Sequence, residues 1–208
     1  IQNFRDVGGY KSKKGRQVRW GKLYRSGNIH NFSEQDSIRL IEAGIKTIID
    51  LRTAHEVKEQ PIYFPNTQII HIPIPCGNKE EMNQRILENK VRKRDGTLFM
   101  EDAYIRFIAN NTEDLGDVFR ILLDKKNYPI LISGELGKDR VGLFISLLFS
   151  MLDIPQESIT QEYMSSNRYI DPSFMAKTVS ALSTDAQETM TVLLSVNESF
   201  LNIAYREI

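Results

Sequence analysis

The sequence has 208 residues, of which 41% are hydrophobic and 26% charged, a composition typical of a globular protein and not of a disordered chain. Lysine plus arginine equals aspartate plus glutamate at 27 each, so nothing in the overall charge favours nucleic acid or an anionic membrane as a partner. The longest apolar stretch, residues 141–152, is too short to span a bilayer.

The first third of the chain predicts short strands and two helix starts. Residues 1–32 are rich in glycine and basic residues. Four segments have strand-like composition: residues 17–20, 22–25, 46–50 and 68–74. Two pairs have the spacing of a capping box: Ser33 with Asp36, and Thr53 with Glu56. A helix from Ser33 to a stop at Gly44 is therefore expected.

The rest of the chain predicts mainly helices. Residues 77–99 are polar and irregular, and we interpret them as a loop that is the best candidate for a lid. Within that loop, the charged run 90–95 is expected to be solvated. Helices are predicted through Tyr104 and Ile108, then over residues 112–124, 141–152 and 156–166, with two more in 172–208.

One strand is expected at the centre of the sheet. Residues 129–133 are apolar on both faces, which is typical of a strand that is buried between helices. Strands that alternate with helices indicate an α/β fold with a mostly parallel sheet flanked by helices. No linker rich in Pro, Gly or Ser interrupts the chain, so a single domain over residues 1–208 is expected.

The stretch SGELGKDRVG, residues 133–142, lies between the central strand and the helix that begins near Val141. A loop at the carboxyl end of a central strand is where open α/β sheets bind ligands. Its main-chain N–H groups and the helix N-terminus favour an anion. Arg140 can bind two phosphate oxygens at once, and Gly137 permits a tight turn. The stretch therefore predicts a phosphate-binding loop.

Two loop types compete for this stretch. A nucleotide-binding Walker A loop requires a glycine where Ile132 stands and a hydroxyl residue where Asp139 stands, so that type is disfavoured. The loop of cysteine phosphatases has a cysteine six residues before its arginine. Counting back from Arg140 gives Gly134, so the spacing fits and the cysteine is absent.

The similarity extends along the whole chain. Four motifs occur in order: NFRDVGGY at 3–10, WGKLYRS at 20–26, GIKTIIDLR at 44–52 followed by Glu56, and GKDRVG at 137–142. Together with the closing segment 196–208, they resemble the atypical protein tyrosine phosphatases of bacteria and fungi, a family that also includes lipid phosphatases. The resemblance implies the cysteine phosphatase fold.

The resemblance also implies roles for the loop residues. Gly134 occupies the position of the nucleophile, Arg140 would hold the phosphate oxygens, and Asp139 would protonate the leaving oxygen. Lys138 adds positive charge that suits a doubly phosphorylated or inositol-phosphate substrate. Residues 134–140 are expected to bind the phosphate: Gly134, Glu135, Leu136, Gly137, Lys138, Asp139 and Arg140. Arg52 is expected either to line the pocket or brace the loop, or to form a structural ion pair with Glu56.

The missing nucleophile defines the main open question. Ser133 is adjacent, but neighbouring side chains on an extended strand point in opposite directions, so it is a poor substitute. Cys76 follows a strand and is expected to be a passive thiol. Gly134 is either a replacement that disarms the enzyme or the mark of a natural pseudophosphatase that binds phosphorylated ligands. The small residues expected at Glu135 and Leu136 are also absent, which favours a divergent natural branch.

The sequence thus predicts a phosphomonoester hydrolase of the tyrosine phosphatase family, inactive as written. Its partners would be a phosphorylated protein or a phospholipid or inositol phosphate, without nucleic acid, and the oligomeric state stays open. No cofactor is needed, and the scattered histidines show no metal-ligand spacing: His30, His55 and His71. The chain begins at Ile1, so both a cytoplasmic and a secreted location are compatible with it.

Overall fold

The computed structural model describes residues 1–171, 173, 180 and 182–208. In these residues, five strands form one sheet in the order β1-β2-β5-β3-β4. They are β1 Arg5–Asp6, β2 Leu23–Ser26, β3 Thr47–Asp50, β4 Gln68–His71 and β5 Ile130–Ser133. Strand β1 pairs antiparallel with β2, and all the other pairs are parallel. The predicted mostly parallel sheet is therefore confirmed.

Helices cover both faces of this sheet. They are α1 Glu34–Glu42, α2 Ala54–Glu59, α3 Lys79–Leu87, α4 Asp95–Asn110, α5 Thr112–Leu123, α6 Arg140–Met151, α7 Gln156–Met164, α8 Ser166–Tyr169, α9 Thr184–Leu194 and α10 Glu198–Tyr205. In the described residues, none of them is long and apolar enough to cross a membrane.

The central strand is β5, as its composition predicts. All four of its residues are buried, because helices pack against both of its faces. Leu131 joins a small apolar cluster with Leu40 of α1, whereas Ile130 and Ile132 join the main core. Helix α6 packs into that core with eight of its 12 residues buried. Strand and helix together fix the loop between them in place.

The two predicted capping boxes are confirmed. The Ser33 and Thr53 hydroxyls accept hydrogen bonds from the N–H groups of Asp36 and Glu56. In turn, the Asp36 and Glu56 carboxylates accept hydrogen bonds from the main-chain N–H groups of Ser33 and Thr53. Each box satisfies two N–H groups that would otherwise lack a partner at a helix start. The second box also places Glu56 beside the phosphate loop.

The prediction of an irregular segment over residues 77–99 is wrong. Helix α3 occupies 79–87, and α4 already begins at Asp95. The Asn78 side chain caps α3, and Met82 and Ile86, four residues apart, bury the only apolar face of a polar helix. That narrow stripe is masked in the sequence by the many charged residues around it.

Two expectations about strands also differ from the structure. Residues 17–20 form no strand; Gln17 makes only an isolated bridge with Lys11. Strand β4 ends at His71 and so is shorter than the predicted segment 68–74. Of the two helices expected in 172–208, α9 and α10 are present, whereas residues 172, 174–179 and 181 lie outside the described part of the chain.

Candidate active site

The candidate site is the loop between β5 and α6. Strand β5 ends at Ser133, and α6 begins at Arg140. The Gly134 N–H donates to the carbonyl oxygen of Ser26 at the end of β2, at 3.3 Å. Because the parallel strands share a direction, their carboxyl ends meet here, which places the loop at the sheet edge where α/β proteins bind ligands.

The loop carbonyl groups are held by the body of the protein. The Asn28 N–H donates to the carbonyl of Glu135 at 2.8 Å. The side-chain amide of Asn3 donates to the carbonyls of Leu136 and Gly137 at 3.2 and 2.8 Å. The buried Arg25 guanidinium donates to the Gly137 carbonyl as well. These bonds fix the loop from its outer side.

The loop N–H groups, in contrast, have no acceptor in the described part of the chain. None of the described residues accepts a hydrogen bond from the main-chain N–H groups of residues 135–140. The first N–H groups of α6 belong to the same set, and the helix dipole adds partial positive charge to them. The loop therefore presents a concave array of donors, which is the chemistry of an oxyanion site.

Arg140 is buried beside this array and keeps one edge free. Its Nη1 and Nη2 donate to the two carboxylate oxygens of Glu56, both at 2.7 Å, and Nη1 also donates to the Leu51 carbonyl at 3.1 Å. Within the described residues, Nε has no partner. The Nε–Nη2 edge is thus available for two oxygens of one phosphate group.

The pairing of Arg140 with Glu56 keeps both groups charged. Burial alone would lower the pKa of Arg140, but the hydrogen bonds and charge of Glu56 raise it above its ordinary value. Burial opposes ionisation of Glu56 too, and Arg140 nevertheless lowers its pKa. Glu56 consequently orients the guanidinium at any neutral pH.

Asp139 lies at the mouth of the loop with two donors on its carboxylate. The Tyr104 hydroxyl donates to it at 2.7 Å, and the Lys138 ammonium contacts both oxygens at 2.8 and 2.7 Å. Burial and the charge of Asp139 raise the pKa of Tyr104 well above its ordinary value, so its hydroxyl stays a donor. This carboxyl group is the nearest candidate for proton transfer to a leaving oxygen.

Lys138 contributes less free charge than its place in the motif suggests. Its side chain is buried. Its ammonium group pairs with the Asp139 carboxylate and donates a hydrogen bond to the Ser195 carbonyl at 3.1 Å. Burial lowers the pKa of Lys138, although Asp139 offsets part of that effect. The expected attraction of a second phosphate group by Lys138 finds no support in this geometry.

Gly134 lies at the base of the loop, where an added Cβ atom would fit tightly. A Cβ atom built on it would meet Cγ2 of Val141 at 3.1 Å and the Gly137 backbone at 3.9 Å. Its backbone is outside the left-handed region that favours glycine. A cysteine at this position thus requires the buried, β-branched side chain of Val141 to shift by a few tenths of an ångström.

Two other nucleophile candidates are placed away from the donors. The Ser133 hydroxyl is fully buried and donates to the Gly27 carbonyl at 2.9 Å. Cys76 lies near Arg140 and Glu56, where burial raises the pKa of its thiol to about 12. Neither group is arranged as an activated nucleophile.

Arg52 does not line the cavity. Its buried guanidinium donates to the Asp50 carboxylate at 2.7–3.1 Å and to the Gln60 carbonyl at 2.8 Å. An ion pair of Arg52 with Glu56 is not formed, since Glu56 is paired with Arg140. Arg52 instead ties the end of β3 to the end of α2, the helix that carries Glu56.

A cavity of about 220 Å³ opens above the loop. Its walls are mostly apolar and include Met82, Phe99, Met100, Val141, Met190, Leu193 and Leu194. Lys79 of α3 closes one side through ion pairs with Glu135 and, at 3.5 Å, with Glu56. Part of the segment expected to form a lid therefore borders the site as a helix.

Several residues that shape the site carry no motif signal. Glu162 is buried on α7 and accepts hydrogen bonds from both Arg5 and Arg25, at 2.7 and 2.6 Å. Tyr163 shares a 2.6 Å hydrogen bond with Tyr104. One sequence signal could have identified Glu162 as buried. Glu162 lies next to Tyr163 and three residues from Ile159, and both of those residues belong to the apolar face of the same helix.

Gly137→Ala is expected to destabilise the protein by about 2–4 kcal/mol, because two costs add. The backbone of Gly137 is left-handed, with φ +65°, and an added Cβ would lie 2.1 Å from the Ser26 carbonyl oxygen. Gly15→Ala is the matched control, since Gly15 has φ +76° and nothing within 4 Å of the added atom. Urea unfolding should show a loss of about 1–2 kcal/mol for the control. Equal losses would mean that the loop does not pack tightly on β2.

Comparison with known proteins assigns the chain to a family. A model of the tyrosine phosphatase family matches residues 1–208. The chain belongs to the tyrosine phosphatase family. Its membership, together with the observed sheet and the loop between β5 and α6, confirms the expected cysteine phosphatase fold.

Individual relatives in the tyrosine phosphatase family are distant. A protein named as a tyrosine-protein phosphatase in Cupriavidus necator is 29% identical over 214 residues, which cover 100% of this chain and 76% of the relative. The triple specificity protein phosphatase PtpB of Mycobacterium tuberculosis is 25% identical over 187 residues, 79% of this chain and 66% of the relative. The catalytic core of the PP-IP phosphatase Siw14 of S. cerevisiae aligns with a TM-score of 0.46 at 16% identity and covers 99% of this chain and 92% of that one.

Proposed function

We propose that residues 134–140 bind the phosphate group of a phosphomonoester. The observation that carries this proposal is the set of unpartnered N–H groups of residues 135–140 beside the free Nε–Nη2 edge of Arg140. All these donors are fixed from behind, by Asn3, Arg25 and Glu56, before any ligand arrives. Preorganised donors of this kind stabilise charge without a cost of rearrangement.

The corresponding reaction is phosphomonoester hydrolysis through a cysteinyl-phosphate. In it, a thiolate attacks phosphorus, the phosphorus–oxygen bond to the leaving group breaks, and the carboxylic acid form of Asp139 gives its proton to the leaving oxygen. The Asp139 carboxylate then takes a proton from a water molecule, whose oxygen attacks phosphorus, breaks the phosphorus–sulfur bond and releases inorganic phosphate and the thiolate. Arg140 holds the phosphate oxygens throughout. Since Gly134 stands at the nucleophile position, we infer that this chain is a phosphatase scaffold that is inactive as written.

The substrate follows from the family and from the cavity. Phosphotyrosine or a phosphoinositide-like monoester is the proposed class, in line with the names of the tyrosine and triple specificity phosphatases among the relatives. The mostly apolar walls favour an aromatic or lipid alcohol next to the phosphate. The match of one family model to residues 1–208 supports a single domain for this function.

A second candidate function is a natural pseudophosphatase that retains phosphorylated ligands without hydrolysing them. The observation that favours it is Glu135, whose carboxylate pairs with Lys79 and lies 3.9 Å from Nη2 of Arg140. A loop carboxylate with its own partner on α3 indicates adaptation of the surroundings to this departure from the motif. The two candidates share the phosphate site and differ only in turnover.

Inorganic phosphate is expected to bind this chain, and Arg140→Lys should weaken binding about tenfold. The lysine keeps a cation beside Glu56 but loses the second donor of the guanidinium edge. Arg120→Lys is the matched control, because Arg120 is exposed on α5 and, among the described residues, forms an ion pair only with Asp117. Isothermal titration at neutral pH measures both variants. A parent without phosphate affinity, or equal affinity in the parent and Arg140→Lys, would exclude this site.

A further inference from the structure

The segment between β1 and β2 has an unusual charge pattern. Residues 7–33 contain no aspartate or glutamate. Within this segment, residues 10–22 carry six basic side chains, and all six are exposed: Lys11, Lys13, Lys14, Arg16, Arg19 and Lys22. The backbone folds back on itself through hydrogen bonds of Ser12 with Arg16 and of Gly9 with Val18. Residues 10–22 are called the basic hairpin below.

The basic hairpin has almost no internal charge partners. Of its six cations, only Lys13 forms an ion pair in the described part of the chain, at 3.6 Å with Asp153. The five others keep their charge unpaired in a protein whose overall formal charge is zero. Basic residues gathered in this way create a positive local field that the whole-chain balance conceals.

Exposed apolar side chains adjoin these cations. Trp20 is 63% exposed and rests against Gly8 and Gly9, where a side chain on either glycine would overlap it. At the end of α6, Met151 and Leu152 are 70% and 43% exposed. They precede Asp153, whose carbonyl accepts a hydrogen bond from the Lys13 N–H at 2.8 Å. Cationic and apolar groups thus share one surface.

We propose that the basic hairpin, with Trp20, Met151 and Leu152, docks on an anionic phospholipid surface. Clusters of four to eight Lys and Arg residues suit the headgroups of anionic lipids. Tryptophan favours the interface between headgroups and acyl chains, where methionine and leucine side chains also lose contact with water. Exposed aliphatic side chains gain nothing from the phosphates of nucleic acid, so the combination favours a membrane.

The docking surface lies at the opposite end of the sheet from the phosphate loop. The Lys22 carbonyl accepts a hydrogen bond from Ile130 at the start of β5, whereas the loop follows the end of that strand. Helix α6 begins at the loop and ends beside the hairpin, and its 12 residues span about 18 Å. A docked molecule therefore keeps its loop open to the aqueous side, where the loop can meet a phosphotyrosine ligand but not a lipid headgroup of the same membrane.

Flotation with vesicles tests this proposal directly. Binding is expected to phosphatidylcholine vesicles with about 30% phosphatidylserine and not to pure phosphatidylcholine, and it should weaken strongly between about 50 and 500 mM salt. Each basic residue at an anionic surface contributes about fivefold, so Lys11→Gln, Lys14→Gln and Arg16→Gln together should lower affinity about a hundredfold. Trp20→Ala should weaken binding at every salt concentration alike.

The chain offers a matched control with the same number of charges. Arg92→Gln, Lys93→Gln and Arg94→Gln together remove three exposed cations from the α3–α4 connection, a run bordered by Glu88 and Asp95. This variant should bind within about twofold of the parent, since the removed charges lie outside the docking surface. Circular dichroism confirms that each variant is folded.

Three results would overturn the proposal. One is equal affinity of the parent for both kinds of vesicle. Another is an equal loss in the two triple variants, which would mean that only total charge matters. The third is retention of the parent by a random-sequence DNA duplex without any binding to vesicles, which would assign the hairpin to nucleic acid. Phosphate titration of the loop is independent of all three.

Discussion

Gly134→Cys is expected to turn over an aryl phosphate at least on the order of 10³-fold faster than the parent chain. We expect this gain because the other groups of the proposed catalytic site are already in place. The Cβ of a cysteine would lie 3.1 Å from Cγ2 of Val141 and 3.9 Å from the Gly137 backbone, so the one close contact is with the Val141 side chain. The donor N–H groups, Arg140 and Asp139 already surround that position.

The introduced thiol should also be unusually acidic. It would lie among unpartnered N–H groups at the start of α6, an environment that stabilises a thiolate. Alkylation by iodoacetamide below pH 7 measures this property separately from turnover. The native Cys76 does not interfere, because its thiol, with a pKa of about 12, stays protonated.

Gly134→Ala is the matched control for this experiment. It adds the same Cβ without a sulfur, so any effect of filling the loop appears in both variants. A silent parent, a silent alanine variant and an active cysteine variant identify Gly134 as the single disarming change. A cysteine variant that is folded and alkylated at low pH but shows no turnover would contradict the hydrolase proposal. The pseudophosphatase that retains phosphorylated ligands would then be the better-supported function.

Glu162→Ala is expected to lower the free energy of unfolding by about 3–5 kcal/mol, the largest loss of any single side chain near the site. Glu162 is 1% exposed and neutralises two guanidinium groups, those of Arg5 and Arg25. Burial already lowers the pKa of Arg25 to about 10, even with this partner present. Removing the carboxylate leaves the buried Arg25 without a counter-charge among the described residues, and its Nε already has no acceptor there.

Thermal unfolding measures this loss, which corresponds to a decrease in Tm on the order of 10 °C for a chain of this size. Glu157→Ala, an exposed substitution on the same helix, should change Tm by less than about 2 °C. The Glu162 variant should also bind phosphate more weakly, because Arg25 holds the Gly137 carbonyl. Equal Tm values for the two variants would show that the buried network contributes no net stability.

Helices and strands could be predicted from the sequence where apolar composition alone requires their burial. Residues 130–133 and 141–151 are apolar enough to be buried in any arrangement, so the central strand and α6 follow directly. Helix α3 could not be predicted from the sequence, because Met82 and Ile86 are buried by contacts with α9 and the α3–α4 connection that form only on folding. Its stability comes from partners that are distant in sequence.

The same distinction applies to the site. The loop is local, so its glycine, lysine, aspartate and arginine carry the pattern within a few residues. Its support is not local: Asn3 and Arg25 reach Gly137 across more than 100 residues of chain, at separations of 134 and 112. Spacing cannot reveal such contacts, and the pairing of Glu56 with Arg140 instead of Arg52 depends on where α2 lies after folding.

The charged groups around the loop cancel one another. Three cations face three carboxylates at close range: Lys79, Lys138 and Arg140 with Glu56, Glu135 and Asp139. Such a site has almost no field beyond about 10 Å, so it does not steer an approaching dianion by long-range attraction. Encounter with a ligand is left to diffusion, and discrimination begins only when the phosphate oxygens reach the N–H groups themselves.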